Sequence, residues 1–152
     1  MQLSRFTDLG LRALMRLAVS SGAEERVTVK LIARQVNASE NYVAKAVSKL
    51  AELGFVESQR GRTGGIFLTA AGRTTTLGRI TRALEGDCEV IECTGDNPCP
   101  LAGACNLRGA LGRAQEAFYA ELDRYTIMDV VDQRTVDLLY MPYIPSAAFA
   151  NE

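Results

Sequence analysis

Lys30-Leu-Ile-Ala-Arg-Gln-Val-Asn-Ala-Ser-Glu-Asn-Tyr-Val-Ala-Lys-Ala-Val-Ser-Lys-Leu50 is the stretch that decides the fold. Leu31, Ile32, Ala33 and Val36 make the apolar side of one short helix, and Val43, Ala46, Val47 and Leu50 that of a second. Residues three and four apart share a helix face, so each set has a core to fill. Between them stands Asn37-Ala-Ser39. Asparagine tolerates the left-handed backbone that a tight helical turn requires, and Ser39 is a good N-cap for the second helix. Ala33 is small where the two helices would cross. This is a helix-turn-helix pattern. Short helical hairpins also occur in proteins that bind no nucleic acid, so the flanks have to decide.

The residues that follow strengthen the pattern. Gly54 closes the second helix, Phe55–Arg60 reads as a strand and Ile66–Thr69 as its partner. Gly61-Arg-Thr-Gly-Gly65 is a glycine-rich hairpin connection. A helix-turn-helix followed by a basic-tipped hairpin is a winged helix, so the expected class is mainly α with one small β-hairpin. In such a fold the second helix enters the major groove. Its leading and outward residues are Ser39, Glu40, Asn41, Tyr42, Lys45, Ser48 and Lys49. Asn41 can read a base edge, and Lys45 and Lys49 can meet phosphate or guanine; Tyr42 can equally be a packing residue. Arg60 and Arg62, with Thr63 and Gly64 beside them, suit phosphate or minor-groove contact at the wing. The plainer reading is a solvated hairpin with arginines for solubility.

Upstream, residues 4–20 form an amphipathic helix through Phe6, Leu9, Ala13 and Leu17, with Ser4 or Thr7 as cap and Gly22 as its end. Val27-Thr-Val29 is a short β-branched piece. Downstream, residues 70–85 read as one helix on Leu77, Ile80, Thr81 and Leu84, stopped by Gly86. Residues 106–125 are the longest helix: Leu107, Leu111, Ala114, Phe118, Leu122 and Tyr125 make a stripe close to a heptad. That stripe fits a dimer seam or packing within the chain. Thr126 caps one more short helix, Ile127–Asp132. The expected organisation is a winged-helix DNA-binding domain over 1–85, a cysteine-rich loop over 86–105, a dimerisation helix and short helix over 106–132, and a mobile tail over 133–152.

The 152 residues are 47% hydrophobic, enough for one domain with a real core. Residues 1–85 hold 13 Lys/Arg against 7 Asp/Glu, a net of +6, and the remainder a net of −7. A basic N-terminal half is a footprint for a polyanion. Arg5, Asp8, Arg12 and Arg16 interrupt the opening apolar positions, so there is no signal-peptide core, and no run is long enough to span a bilayer. A cytoplasmic protein is expected, in which clustered thiols more often bind metal than form disulfides. No histidine occurs in the chain, which removes His-based acid–base catalysis. Nothing else resembles a substrate-binding signature, so a non-enzyme is expected.

Cys93-Thr-Gly-Asp-Asn-Pro-Cys99-Pro-Leu-Ala-Gly-Ala-Cys105 sets three thiols in a loop rich in Gly, Pro and Asn. A loop can fold its thiols toward one point, and soft metals prefer thiolate. A structural zinc site of three cysteines and an aspartate is one outcome; three merely buried cysteines are another.

The chain resembles the winged-helix iron–sulfur repressors that include the nitric-oxide sensor NsrR and the cluster-biogenesis regulator IscR. Leu3–Ala18, the wing Ser58–Leu68 and the Cys93/Cys99/Cys105 loop carry the likeness, which covers about residues 1–132. The resemblance implies a homodimer on promoter DNA whose long helices cross. It implies an iron–sulfur cluster on Cys93, Cys99 and Cys105 with a fourth ligand that is not one of those cysteines. A four-iron (4Fe-4S) cluster is preferred over a two-iron (2Fe-2S) one. The biogenesis-regulator branch has a histidine where this chain has Leu107, which favours the NsrR-like reading: nitric oxide attacks the cluster and the repressor leaves its operator. Iron, oxygen or cluster supply are alternative signals. For the fourth ligand, Cys88, Asp87, Glu92, Asp96 and water are open, and Asp8 from the partner subunit is preferred. Asp8 can also simply complement the helix dipole.

Overall fold

The computed structural model describes residues 2–20, 25–61, 64–86 and 89–140. Gly22, Arg62, Thr63, Asp87, Cys88 and the tail from 141 onward lie outside the described residues.

Helix α1 (Arg5–Val19) is the centre of the core. The Ser4 hydroxyl caps it, accepting the Thr7 N–H at 3.2 Å. Leu9, Ala13, Leu14 and Leu17 are buried along one side. Gly10 lets the segment carrying Leu84 approach, since a Cβ there would stand 2.9 Å from the Leu84 side chain.

The β-branched piece is a helix start. Thr28 caps α2 (Val29–Gln35) by accepting the Leu31 N–H at 3.2 Å. Only Val27 acts like a strand, its carbonyl taking the Ile66 N–H at 2.9 Å. Ile32 and Ala33 point inward as expected. Asn37 has φ 51°, the one non-glycine residue in that region among the described residues. Helix α3 (Glu40–Glu52) then buries Val43, Ala46, Val47 and Leu50. Ser39 stands at its N-cap, but its hydroxyl makes no cap hydrogen bond.

Strands β1 (Val56–Gln59) and β2 (Gly65–Leu68) pair antiparallel, with Val56 opposite Leu68 and Gln59 opposite Gly65. The turn depends on Gly64, whose N–H donates to the Gly61 carbonyl at 3.1 Å. A Cβ on Gly64 would lie 2.3 Å from the Gln59 carbonyl oxygen.

The single helix expected over 70–85 is two: α4 (Ala70–Thr74) and α5 (Leu77–Glu85). Thr75 and Thr76 are extended between them, and Thr76 caps α5. The break is held from far along the chain, by the Leu77 N–H donating to the Tyr125 carbonyl at 2.7 Å. Helix α6 (Asn106–Leu122) runs back along α5 and buries only Tyr119. Past Asp123 comes a single 3₁₀ turn, Ile127–Val130, shorter than the helix expected to Asp132, with a Thr126/Asp129 capping box and Ile127 plugged into the core.

The tail read as starting at 133 is corrected for its first eight residues. Gln133–Tyr140 is helix α7, started by Asp132, which accepts the Thr135 N–H at 2.9 Å. Its last turn is fastened to α1, to Glu25 before α2 and to the end of α2 by side chains that no local pattern reveals.

Candidate metal centre and nucleic-acid interface

The loop between α5 and α6 carries the cysteines. Gly86, at φ 76°, turns the chain out of α5. All three thiols are free; Cys93 is buried, and Cys99 and Cys105 are half-buried. Backbone bonds fold the loop on itself. The Cys99 N–H donates to the Cys93 carbonyl at 3.1 Å, and two tight turns follow, Ala102 N–H to Cys99 and Ala104 N–H to Leu101. Cys105 is the N-cap of α6, its Sγ accepting the Arg108 N–H at 3.4 Å. The last thiol of the loop therefore starts the helix that follows it.

Arg108 links this cap to the far side of the loop. Its guanidinium takes Glu89 in two hydrogen bonds, of 2.8 and 2.5 Å. The Arg108 bond holds the Glu89 carboxyl below the usual carboxylate range. Arg108 is itself raised, chiefly by Glu89, with smaller contributions from Cys93 and Cys105.

Among the described residues no three Cys, Asp or Glu side chains stand as a closed metal cage. The donor chemistry nevertheless fits a thiophilic centre: three free thiols on one short, self-bonded loop. Asp8 forms no such group with the cysteines of its own chain. It pairs with Arg12 at 2.7 Å and lines an open groove of about 950 Å³ with Arg5, Arg12, Gln35 and Asn37. One wall of that groove is the turn before α3.

The outward side of α3 is open to solvent. Asn41, Tyr42, Lys45 and Ser48 are exposed. Lys49 is half-buried and pairs with Glu52 at 3.2 Å. The Tyr42 ring, 54% exposed, faces outward with the Arg5 guanidinium 6.0 Å from its centre. It is therefore no core residue. Ser39 is exposed with its hydroxyl unused by the helix. Arg60 is exposed at the end of β1, whereas Gly64 is buried and shapes the wing.

Sequence reading missed the joint between α5 and α6. Arg82 takes both carboxylate oxygens of Glu116, at 2.9 and 2.8 Å, and lies over the Tyr119 ring at 4.2 Å. Asp123 reaches the head of α5, accepting the Arg79 N–H at 3.1 Å and bonding the Thr76 hydroxyl. Gly78 permits the crossing, since a Cβ would stand 2.4 Å from both Tyr119 O and Asp123 Oδ1. These partners lie 34 to 47 residues apart, so no spacing signals them.

A helix-turn-helix carrying a two-stranded wing, with a further helix held against its last helix, defines a winged-helix DNA-binding protein. The chain belongs to the Rrf2 family, described as iron-dependent transcriptional regulators, whose profile matches residues 3–133. It is 50% identical over 139 residues to the HTH-type transcriptional repressor NsrR of Streptomyces coelicolor, covering 91% of this chain and 94% of that one. It is 38% identical over 136 residues to the HTH-type transcriptional regulator NsrR of Geobacillus kaustophilus, covering 88% and 92%. Among solved structures it is similar to CymR (YrzC), the global cysteine regulator of B. subtilis: TM-score 0.65, 32% identity, 86% of this chain and 95% of that one. It is also similar to T. potens IscR: TM-score 0.66, 27% identity, 85% of each chain. The family is one of transcriptional regulators rather than enzymes. Among the described residues no helix is long and apolar enough to cross a membrane.

Proposed function

We propose that this protein is a cytoplasmic repressor that binds promoter DNA as a homodimer and releases it in response to nitric oxide. Its sensor would be an iron–sulfur cluster, 4Fe-4S in preference to 2Fe-2S, held by Cys93, Cys99 and Cys105, with Asp8 of the partner subunit as fourth ligand. The observation that carries the reading is the loop itself: three free thiols between α5 and α6, the last of them capping α6. The iron-dependent family and the likeness to NsrR repressors support it. When bound, the cluster supplies iron sites at which nitric oxide reacts.

The chain's own residues then account for the switch. Cys93, Cys99 and Cys105, as thiolates on one bound centre, would hold the loop closed. The loop sets how the head of α6 leaves α5, while Arg82, Glu116 and Asp123 keep the rest of the pair in register. Without that ligation the loop would be held only by its backbone turns and the Glu89–Arg108 pair, and would be free to relax. In a dimer whose α6 helices cross, that changes the separation of the two α3 helices, which must match one DNA turn of about 34–36 Å. With the ligation in place and the spacing matched, Asn41 and Lys45 would read base edges and phosphates, and Arg60 with Arg62 and Thr63 would follow the adjacent backbone at a wing shaped by Gly64.

Anaerobic purification with native mass spectrometry and metal analysis tests this. A dimer carrying iron and sulfide is expected, with iron lost in Cys93→Ala and held more weakly against added thiols in Asp8→Ala. Zinc without sulfide, or operator affinity unchanged by nitric oxide, contradicts the reading.

A further inference from the structure

Helix α7 buries none of its residues fully, yet its last turn, with Tyr140 half open to solvent, closes a polar network over a buried arginine of the winged helix. At the centre is Arg16 of α1, fully buried. Its Nε donates to Gln35 Oε1 at 2.5 Å, and its Nη2 pairs with Glu25 Oε1. Gln35 in turn donates through Nε2 to the Leu139 carbonyl at 2.6 Å. The Tyr140 hydroxyl donates to Glu25 Oε2 at 2.5 Å, and the Arg16 guanidinium lies 5.1 Å from the Tyr140 ring centre. Five residues from α1, the segment before α2, the end of α2 and the end of α7 form one closed circuit.

A buried guanidinium is tolerated only where its charge and N–H groups are matched. Here Glu25 balances the charge, Gln35 takes one N–H and Tyr140 covers a face. Arg16 Nη1 has no partner among the described residues, so little is in reserve if Tyr140 is withdrawn. The location gives the network its consequence. Gln35 is the last residue of α2. Next come Val36 and Asn37, and the chain reverses into α3, with the Ala38 N–H tied to the Ala33 carbonyl at 2.9 Å. Holding the Gln35 side chain from both ends fixes where α2 stops, and so the angle at which α3 is presented.

We propose that α7 buttresses the DNA-reading hairpin: Tyr140 and the Leu139 carbonyl hold Gln35 and Arg16 so that α3 meets the operator at the right angle. Tyr140 is then a positioning residue for operator recognition, some distance from any base. The inference rests on the DNA-binding reading above and is separate from the cluster.

The test uses the full-length holoprotein and a duplex that the wild type selects from a random-sequence pool. Tyr140→Ala is expected to lower affinity for that duplex about tenfold while changing affinity for unselected DNA by less than about twofold. Phosphate contacts carry the second affinity and are untouched. Tyr140→Phe, which keeps the ring over Arg16, should lose about threefold. Gln35→Met should cost a similar factor, and the two losses should fail to add when combined with Tyr140→Ala, because both break one circuit. A wild-type ratio of selected to unselected affinity in Tyr140→Ala, whatever its melting temperature, overturns the proposal, and so do fully additive losses. If the wild type selects no sequence at all, it is the DNA-binding reading that fails.

Discussion

Helices α3 and α6 both carry apolar residues at steps of three and four, yet they use them differently. In α3 the predicted face, Val43, Ala46, Val47 and Leu50, is buried within the chain. In α6 the predicted stripe stays largely outside. Leu107 is 62% exposed, Ala114 is exposed, and Leu111 and Phe118 are only partly covered. The residue that α6 does bury is Tyr119, which the stripe omits. Periodicity identifies a face but not what covers it. For α6 the intramolecular contact is polar and aromatic through Glu116, Tyr119 and Asp123, with Leu122 alone of the stripe packed against the core. The aliphatic side is left largely uncovered by the described residues.

The difference is most sharply broken from the α3 side. Leu50 is fully buried, so Leu50→Ala should cost about 2–5 kcal/mol, read as a lower denaturant midpoint with an unchanged slope. At the joint, Gly78→Ala sets a methyl against the Tyr119 carbonyl and the Asp123 carboxylate. We expect a cost of about 1–3 kcal/mol. Hydrogen exchange should accelerate in α6 while α3 amides keep their protection; equal acceleration in both would show that the two regions unfold as one.

The smallest effect is acid loosening. Arg82 holds the Glu116 carboxyl below its ordinary value, chiefly through the side-chain hydrogen bond. A carboxyl depressed in the folded state stabilises above its unfolded pKa of about 4.3 and loses that contribution as pH falls through the folded value. The α5–α6 joint should therefore be unchanged from pH 7 to about 5 and loosen below about 4. Glu116→Gln should abolish that step in α6 exchange. Both side chains are substantially exposed, so the change will be modest.

Features written into neighbouring residues were legible in the sequence. α1, α2, α3 and the hairpin announce themselves through caps, glycines and short-range apolar spacing, and the cysteines through their spacing in a loop. What was hidden depends on partners far along the chain. The Thr75–Thr76 break is held by Tyr125 and Asp123. Helix α7 is held by Arg16, Glu25 and Gln35, more than a hundred residues away along the chain for two of its bonds. Near the cysteines, the Glu89–Arg108 pair joins the two ends of the loop and has no signature of its own. The Asn37 turn was readable because its demand on the backbone is local.

The sulfur of Cys105 belongs to the cysteine loop and is also the acceptor for the Arg108 N–H in the first turn of α6. A reagent that alkylates that atom with a bulky group disrupts the helix's cap, with or without a bound metal. The opening turn of α6 should then fray toward Gly109, and the exposed apolar stripe would begin one turn later. Chemistry at a single side chain thereby resets where a long structural rod begins.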